Sequence, residues 1–135
     1  VIVTLSATVC HELCGCAHLR VICTGGELNH SLNLLGGSLA LEAISKLNFS
    51  EAFVSAGGAS PSHGATTWES DIVKIVSAAK ARAQRTYLLV DASKFTKLAP
   101  HTIAPLHEFA GVITDASLPA ATRKALAAAG VNVLT

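Results

Sequence analysis

The 135-residue sequence predicts an α/β fold: a three-layer arrangement with a mostly parallel sheet and helices on both faces. Its strands read as short, solid apolar runs such as Tyr87-Leu88-Leu89-Val90, the pattern of strands buried on both faces. These runs alternate with stretches of helical spacing, the rhythm of a parallel sheet with helical crossovers. Half the residues are apolar and only 14% are charged, which places the chain far from the disordered class.

Ile2-Val3-Thr4 is the first strand, and Ser6 or Thr8 caps a helix running to about Gly15. Arg20-Val21-Ile22-Cys23 forms the second strand and stops at Thr24-Gly25-Gly26. After Gly36-Gly37, a helix is expected whose apolar face is Leu35, Leu39, Ala43 and Leu47, with Ala40 and Ile44 beside them. Ala52-Phe53-Val54-Ser55 is the third strand. It opens into Ala56-Gly57-Gly58-Ala59-Ser60-Pro61, a loop of small residues expected to leave backbone N–H groups uncovered for an anion.

The next helix spans about Glu69 to Ala83, capped by Thr66 or Thr67, with Ile72, Val73, Val76, Ala79 and Ala83 inward. Tyr87–Val90 follows as a buried strand that ends in Asp91-Ala92-Ser93-Lys94. An irregular segment holds Pro100 and Pro105. Gly111-Val112-Ile113-Thr114 is then a strand closed by Asp115, the last helix runs from Ser117 and Pro119 to Gly130, and Val131–Leu134 is the final strand. One domain covers residues 1–135, with no internal repeat or linker-like shift in composition.

Several function classes are excluded at this level. The net charge is +1 and the ten Lys and Arg are scattered, so the chain has no basic stripe for nucleic acid. No apolar run approaches the ~20 residues of a membrane-spanning helix. Cys10, Cys14, Cys16 and Cys23 lack the paired spacing of a zinc site. They read as reduced thiols packed in a cytoplasmic protein, with no metal or cofactor expected. The high apolar content points to a homo-oligomer. His63, His101 and His107 read as turn or surface residues, and Trp68 as a ring packed at a helix start.

Chemistry is expected along one edge, because the carboxyl ends of parallel strands line the ligand crevice. Small, hydroxyl and charged residues gather there in Thr4-Leu5-Ser6, Thr24-Gly25-Gly26, Ser55-Ala56-Gly57-Gly58 and Asp91-Ala92-Ser93-Lys94. Gly and Ser offer donors, Lys94 a positive charge, and Asp91 an acceptor for hydroxyls. That set suits a phosphorylated polyol.

In this order, Thr24-Gly25-Gly26-Glu27-Leu28-Asn29, Leu35-Gly36, Ala52–Gly58, Gly64-Ala65-Thr66 with Glu69 and Lys74, Asp91-Ala92-Ser93-Lys94-Phe95, and Val112-Ile113-Thr114-Asp115 resemble the effector-sensing domain of DeoR-type bacterial transcriptional regulators. The resemblance covers nearly the whole chain. It implies a Rossmann-like domain of the ribose-5-phosphate isomerase and CoA-transferase superfamily that senses a phosphorylated sugar. DNA would be bound only through a winged helix-turn-helix upstream of Val1. The site residues it implies are Thr4, Ser6, Gly25, Gly26, Gly36, Ser55, Gly57, Gly58, Glu69, Asp91 and Lys94. The family's first strand and its Asp-Gly-Thr-Thr-like phosphate loop would stand before Val1, and Thr4-Leu5 replaces the Thr-Asn of many relatives.

The competing expectation is an enzyme, since Asp91-Ala92-Ser93-Lys94 is also similar to the lysine motif of ribose-5-phosphate isomerases. Isomerisation needs a general base, and only Glu69 is at hand, because the loop after Ser55 lacks a carboxylate. A third expectation is an oligomerisation module without a ligand.

Overall fold

The computed structural model describes Val1–Thr135, which falls into two compact units, Val1–Asn48 and Phe49–Thr135. In the first, β1 (Ile2–Thr4) is followed by α1 (Ala7–Leu13), whose N-cap Ser6 accepts the Val9 N–H. The helix carries the chain over to β2 (Val21–Cys23), parallel to β1 with Thr4 opposite Cys23. Next come β3 (Glu27–Asn29) and β4 (Leu34–Gly36), an antiparallel hairpin between the expected second strand and the expected helix. Asn29 makes its turn, with Oδ1 accepting the N–H groups of Ser31 and Leu32.

The helix α2 spans Gly37–Ser45 and buries Ala40 and Ile44. This corrects the expected apolar ladder. Leu35 belongs to β4, Leu47 lies beyond the helix, and Leu39 is 63% exposed. The cysteine expectation is corrected too. Cys10 on α1 and Cys23 at the end of β2 form a disulfide, with Cα atoms 6.4 Å apart, while the free Cys14 is exposed and Cys16 half-buried. Helix α1 packs against β2, and this crossover brings the two thiols together.

The second unit begins with β5 (Phe49–Ser55), longer than expected, followed by the antiparallel pair β6 (Gly58–Ser60) and β7 (Gly64–Thr67). Helix α3 (Ser70–Arg82) starts at Glu69 with no side-chain cap; Thr66 and Thr67, expected as caps, lie in β7. Its buried residues are Ile75 and Val76; Ile72, Val73 and Ala79 are only half-buried, and Ala83 opens β8 (Ala83–Leu89). A 3-10 turn over Ala92–Thr96 precedes β9 (His101–Ala104), which pairs with β7 to complete a three-stranded sheet. Then come β10 (Gly111–Ile113), α4 (Ala120–Ala128) and β11 (Val133–Leu134).

The order β11-β10-β8-β5 is parallel throughout and flanked by helices, the expected α/β class. Leu88, Val112 and Leu126 are fully buried at its centre, among Val90, Leu106, Phe109, Leu118 and Val131. Burial alternates along the strands more than the apolar runs implied. Thr86, Leu88 and Val90 are buried, whereas Leu89 is 41% and Phe53 58% exposed. Phe53 stacks on Tyr87, with ring centroids 5.5 Å apart. No helix is long and apolar enough to cross a membrane.

Just past β10, the hydroxyl of Thr114 is buried and makes no hydrogen bond. An unpaired buried hydroxyl carries its desolvation cost without return. Thr114→Val, which keeps the shape, is expected to stabilise the protein by about 1 kcal/mol. Urea unfolding checks this, and a lower midpoint for the variant would contradict it.

Candidate functional site

In the second unit, β8 and β10 run side by side and release their chains at the same edge. Val90 still donates its N–H to Ile113 (3.1 Å), and at Asp91 the chain turns away. Asp91 caps the 3-10 turn by accepting the Ser93 N–H at 2.9 Å, and the Lys94 N–H closes back on the Asp91 carbonyl at 3.0 Å. Lys94 is thereby held half-buried on a turn of two bonded rungs. Asp115 emerges from β10 alongside. One of its oxygens accepts the Ala92 N–H at 2.7 Å, and the other accepts the N–H and the hydroxyl of Ser117.

Gly57 and Gly58 stand next to this turn, because β6 packs on Ala92–Thr96. A Cβ on Gly58 would lie 2.2 Å from the Lys97 carbonyl oxygen and 2.9 Å from Thr66 Oγ1, so only glycine lets the two backbones meet. The Gly57 N–H is not uncovered as expected; it donates to the Thr66 carbonyl at 2.8 Å. The segment read as an anion-cradling loop is instead the entry to the β6–β7 hairpin. Ser55 ends β5 opposite Leu89, on the same sheet edge. Glu69 is half-buried at the start of α3, its N–H bonded to Thr67 Oγ1. Trp68, expected as a packed ring, is 64% exposed. It borders an open depression of about 450 Å³ with His63, Leu98 and Pro100.

The first unit gathers the other candidates. Thr4 Oγ1 accepts the Ser6 N–H at 3.0 Å, and the Thr4 carbonyl accepts the Thr24 N–H at 3.1 Å. Gly26 adopts φ +113°, and a Cβ there would lie 2.1 Å from the Gly36 carbonyl oxygen, so the chain after β2 and the end of β4 touch backbone to backbone. Gly36 is the N-cap of α2 and Gly25 directly precedes Gly26. The side chains and turns of Thr4, Ser6, Gly25, Gly26 and Gly36 thus cluster at the strand ends of this unit.

Hydrogen bonding sets the electrostatics of the second unit's edge. The Ser117 hydroxyl first, then the N–H groups of Ala92 and Ser117, hold the Asp115 carboxyl down at about 2 against an ordinary 3.8. Asp91 is also lowered, chiefly by hydrogen bonding from Ser93, with Lys94 adding attraction and Asp115 opposing. A carboxylate whose folded pKa is depressed stabilises the fold above its unfolded pKa and loses that contribution as pH falls through the folded value. The advantage of wild type over Asp115→Asn is therefore expected to be constant above pH ~4 and to vanish between about pH 4 and 2. Urea unfolding across this range measures it, and a gap that persists unchanged at pH 2 would contradict it.

Residues 1–116 match the family model of the DeoR C-terminal sensor domain. The chain belongs to that family. Among its relatives, a putative sgc region transcriptional regulator of Escherichia coli K12 is 31% identical over 82% of this chain and 43% of its own length. The uncharacterized HTH-type transcriptional regulator YgbI of the same organism is 28% identical, over 98% of this chain and 52% of its own. A putative aga operon transcriptional repressor of E. coli O157:H7 is 24% identical over 97% and 49%. The chain spans about half the length of these relatives, all regulators of transcription by name. Within this DeoR sensor domain, sequence reasoning missed the carboxylate of Asp115. Its position after Ile113-Thr114 was visible, but its partner Ala92 is 23 residues away.

Proposed function

We propose that this chain is the effector-sensing part of a DeoR-type transcriptional regulator, that its effector is a phosphorylated sugar or related phosphorylated metabolite, and that it senses without turning the ligand over. The observation that carries the reading is the fixed turn bearing Lys94. Lys94, a half-buried residue that takes part in none of the ion pairs Lys46–Glu42, Lys74–Asp71, Lys80–Glu108 and Arg85–Glu51, follows a strand end on the turn that Asp91 caps. A cation held there meets a phosphate, and a carboxylate next to it accepts from sugar hydroxyls. Ser55, Gly57 and Gly58 belong to this proposed edge, with Glu69 as a further candidate. Thr4, Ser6, Gly25, Gly26 and Gly36 are proposed as ligand-binding on the family resemblance and on their clustering at strand ends. DNA contact by a separate helix-turn-helix domain, self-association and a cytoplasmic location complete the reading.

The test is a thermal-shift screen of the full-length protein against phosphorylated sugars and their unphosphorylated parents, since a ligand that binds only the folded state raises Tm with its concentration. The phosphorylated forms alone are expected to raise Tm, and Lys94→Ala is expected to weaken the best of them about tenfold or more, as loss of a charged hydrogen bond does. No shift across the panel would sink the phosphorylated effector. Sustained aldose–ketose conversion abolished by Glu69→Gln would replace sensing with catalysis.

A further inference from the structure

Two side chains brace the turn that carries Lys94 from within, and two more reach that segment from elsewhere in the chain, Thr66 on β7 and Asp115 just past β10. Asp91 caps the turn from within, and Thr96 Oγ1 closes it on the Ser93 carbonyl at 2.9 Å. Three residues past its end, the Ala99 N–H donates to Thr66 Oγ1 at 3.1 Å. At its near end, the first amide, Ala92, is held by the Asp115 carboxylate at 2.7 Å. Charge-assisted bonds of this kind are short and directional.

Asp115 has little left to offer a ligand. Its second oxygen is committed to the N–H and hydroxyl of Ser117, so the side chain is fixed on both sides by the protein. Fixed this way, it joins the end of β10 to the start of the turn after β8, two strands already in parallel register with Ile113 opposite Leu89. Without it, the chain between Val90, whose N–H donates to Ile113, and Lys94 would be held at its entry only by the bonds that Asp91 makes to Ser93 and Lys94.

We propose that Asp115 is the positioning residue of the effector site, holding the Ala92 amide so that Lys94 meets the phosphate in one place. This rests on the reading of Lys94 as the phosphate-binding cation. Asp115 touches no ligand itself and acts through the turn, as a group that supports a binding residue from behind.

The experiment uses the full-length protein, with amide hydrogen exchange and titration with inorganic phosphate and ribose 5-phosphate. Asp115→Ala is expected to speed exchange at Ala92 and to weaken whichever probe wild type binds about tenfold. Asp115→Asn, which keeps an acceptor oxygen, is expected to recover part of both. In a Lys94→Ala background, Asp115→Ala should cost almost nothing more, because the two residues act in series. Unchanged exchange at Ala92, or a loss of affinity that persists undiminished without Lys94, would overturn the proposal. Should wild type bind neither probe, the phosphate reading fails for them, and exchange at Ala92 alone decides whether Asp115 holds the turn.

Discussion

Leu88→Ala is expected to cost about 3–5 kcal/mol of folding stability, the upper part of the range for a buried leucine. Leu88 is fully buried on β8, an inner strand of the parallel sheet, between Val54 on β5 and Val112 on β10. It packs in the same cluster as Val90, Phe109 and Leu126, two of which come from elements far along the chain. Truncation removes the transfer free energy of the lost carbons and leaves a cavity that two hydrogen-bonded neighbours prevent from closing. Domains are typically stable by only 5–15 kcal/mol, so this one change is a large fraction of the total. The next residue is the control. Leu89 is 41% exposed, and Leu89→Ala should cost less than about 1 kcal/mol. Urea midpoints at constant m-value separate the two. Equal costs would mean that burial does not alternate along this strand as described.

The same pair of leucines shows what sequence could and could not tell. Tyr87-Leu88-Leu89-Val90 identifies itself as a strand by its β-rich, apolar character, and the strands at Ala52–Ser55 and Gly111–Ile113 do so too. The parallel pairing of β5 with β8 followed from the helix between them, whereas between β8 and β10 the chain holds only two 3-10 turns and β9. Which leucine faces inward did not follow, because a run of apolar residues has no period to read. The hairpins were hidden for a different reason. β6 and β7 are built from Gly, Ala, Ser and Thr, which carry no hydrophobic alternation, and β9 lies between Pro100 and Pro105, which read as breakers. The signal available was Pro61-Ser62-His63-Gly64, a turn whose Ser60 hydroxyl accepts the His63 N–H at 3.0 Å.

For the site, the sequence marked which residue types end the strands but not how their bonds are spent. Gly57-Gly58 reads as open backbone, yet the hairpin consumes the Gly57 N–H. Asp91 and Asp115 look alike as acids after strands. One caps its own turn, and the other reaches across 23 residues to a neighbouring strand's turn. Such a bond depends on strand order, which local pattern does not encode.

Gly58→Ala carries the second large expectation, and here the effect reaches the candidate site through packing alone. The new methyl would stand 2.2 Å from the Lys97 carbonyl oxygen, 2.8 Å from its carbon and 2.9 Å from Thr66 Oγ1. Two of these atoms are backbone and cannot swing aside, so the strand and the segment after the Lys94 turn must separate. Overpacking of this kind costs about 1–3 kcal/mol and sometimes more. The separation also strains the bond from the Ala99 N–H to Thr66 Oγ1, which ties down the chain three residues past that turn. Gly58→Ala is therefore expected to lower stability by about 3 kcal/mol and to speed amide exchange from Lys94 to Ala99. Gly15→Ala, with open space around its position, should leave that segment unchanged. If Gly58→Ala matched wild type in both urea midpoint and exchange, the close approach of β6 to this segment would not hold the turn, and Asp91 and Asp115 would have to position Lys94 by themselves.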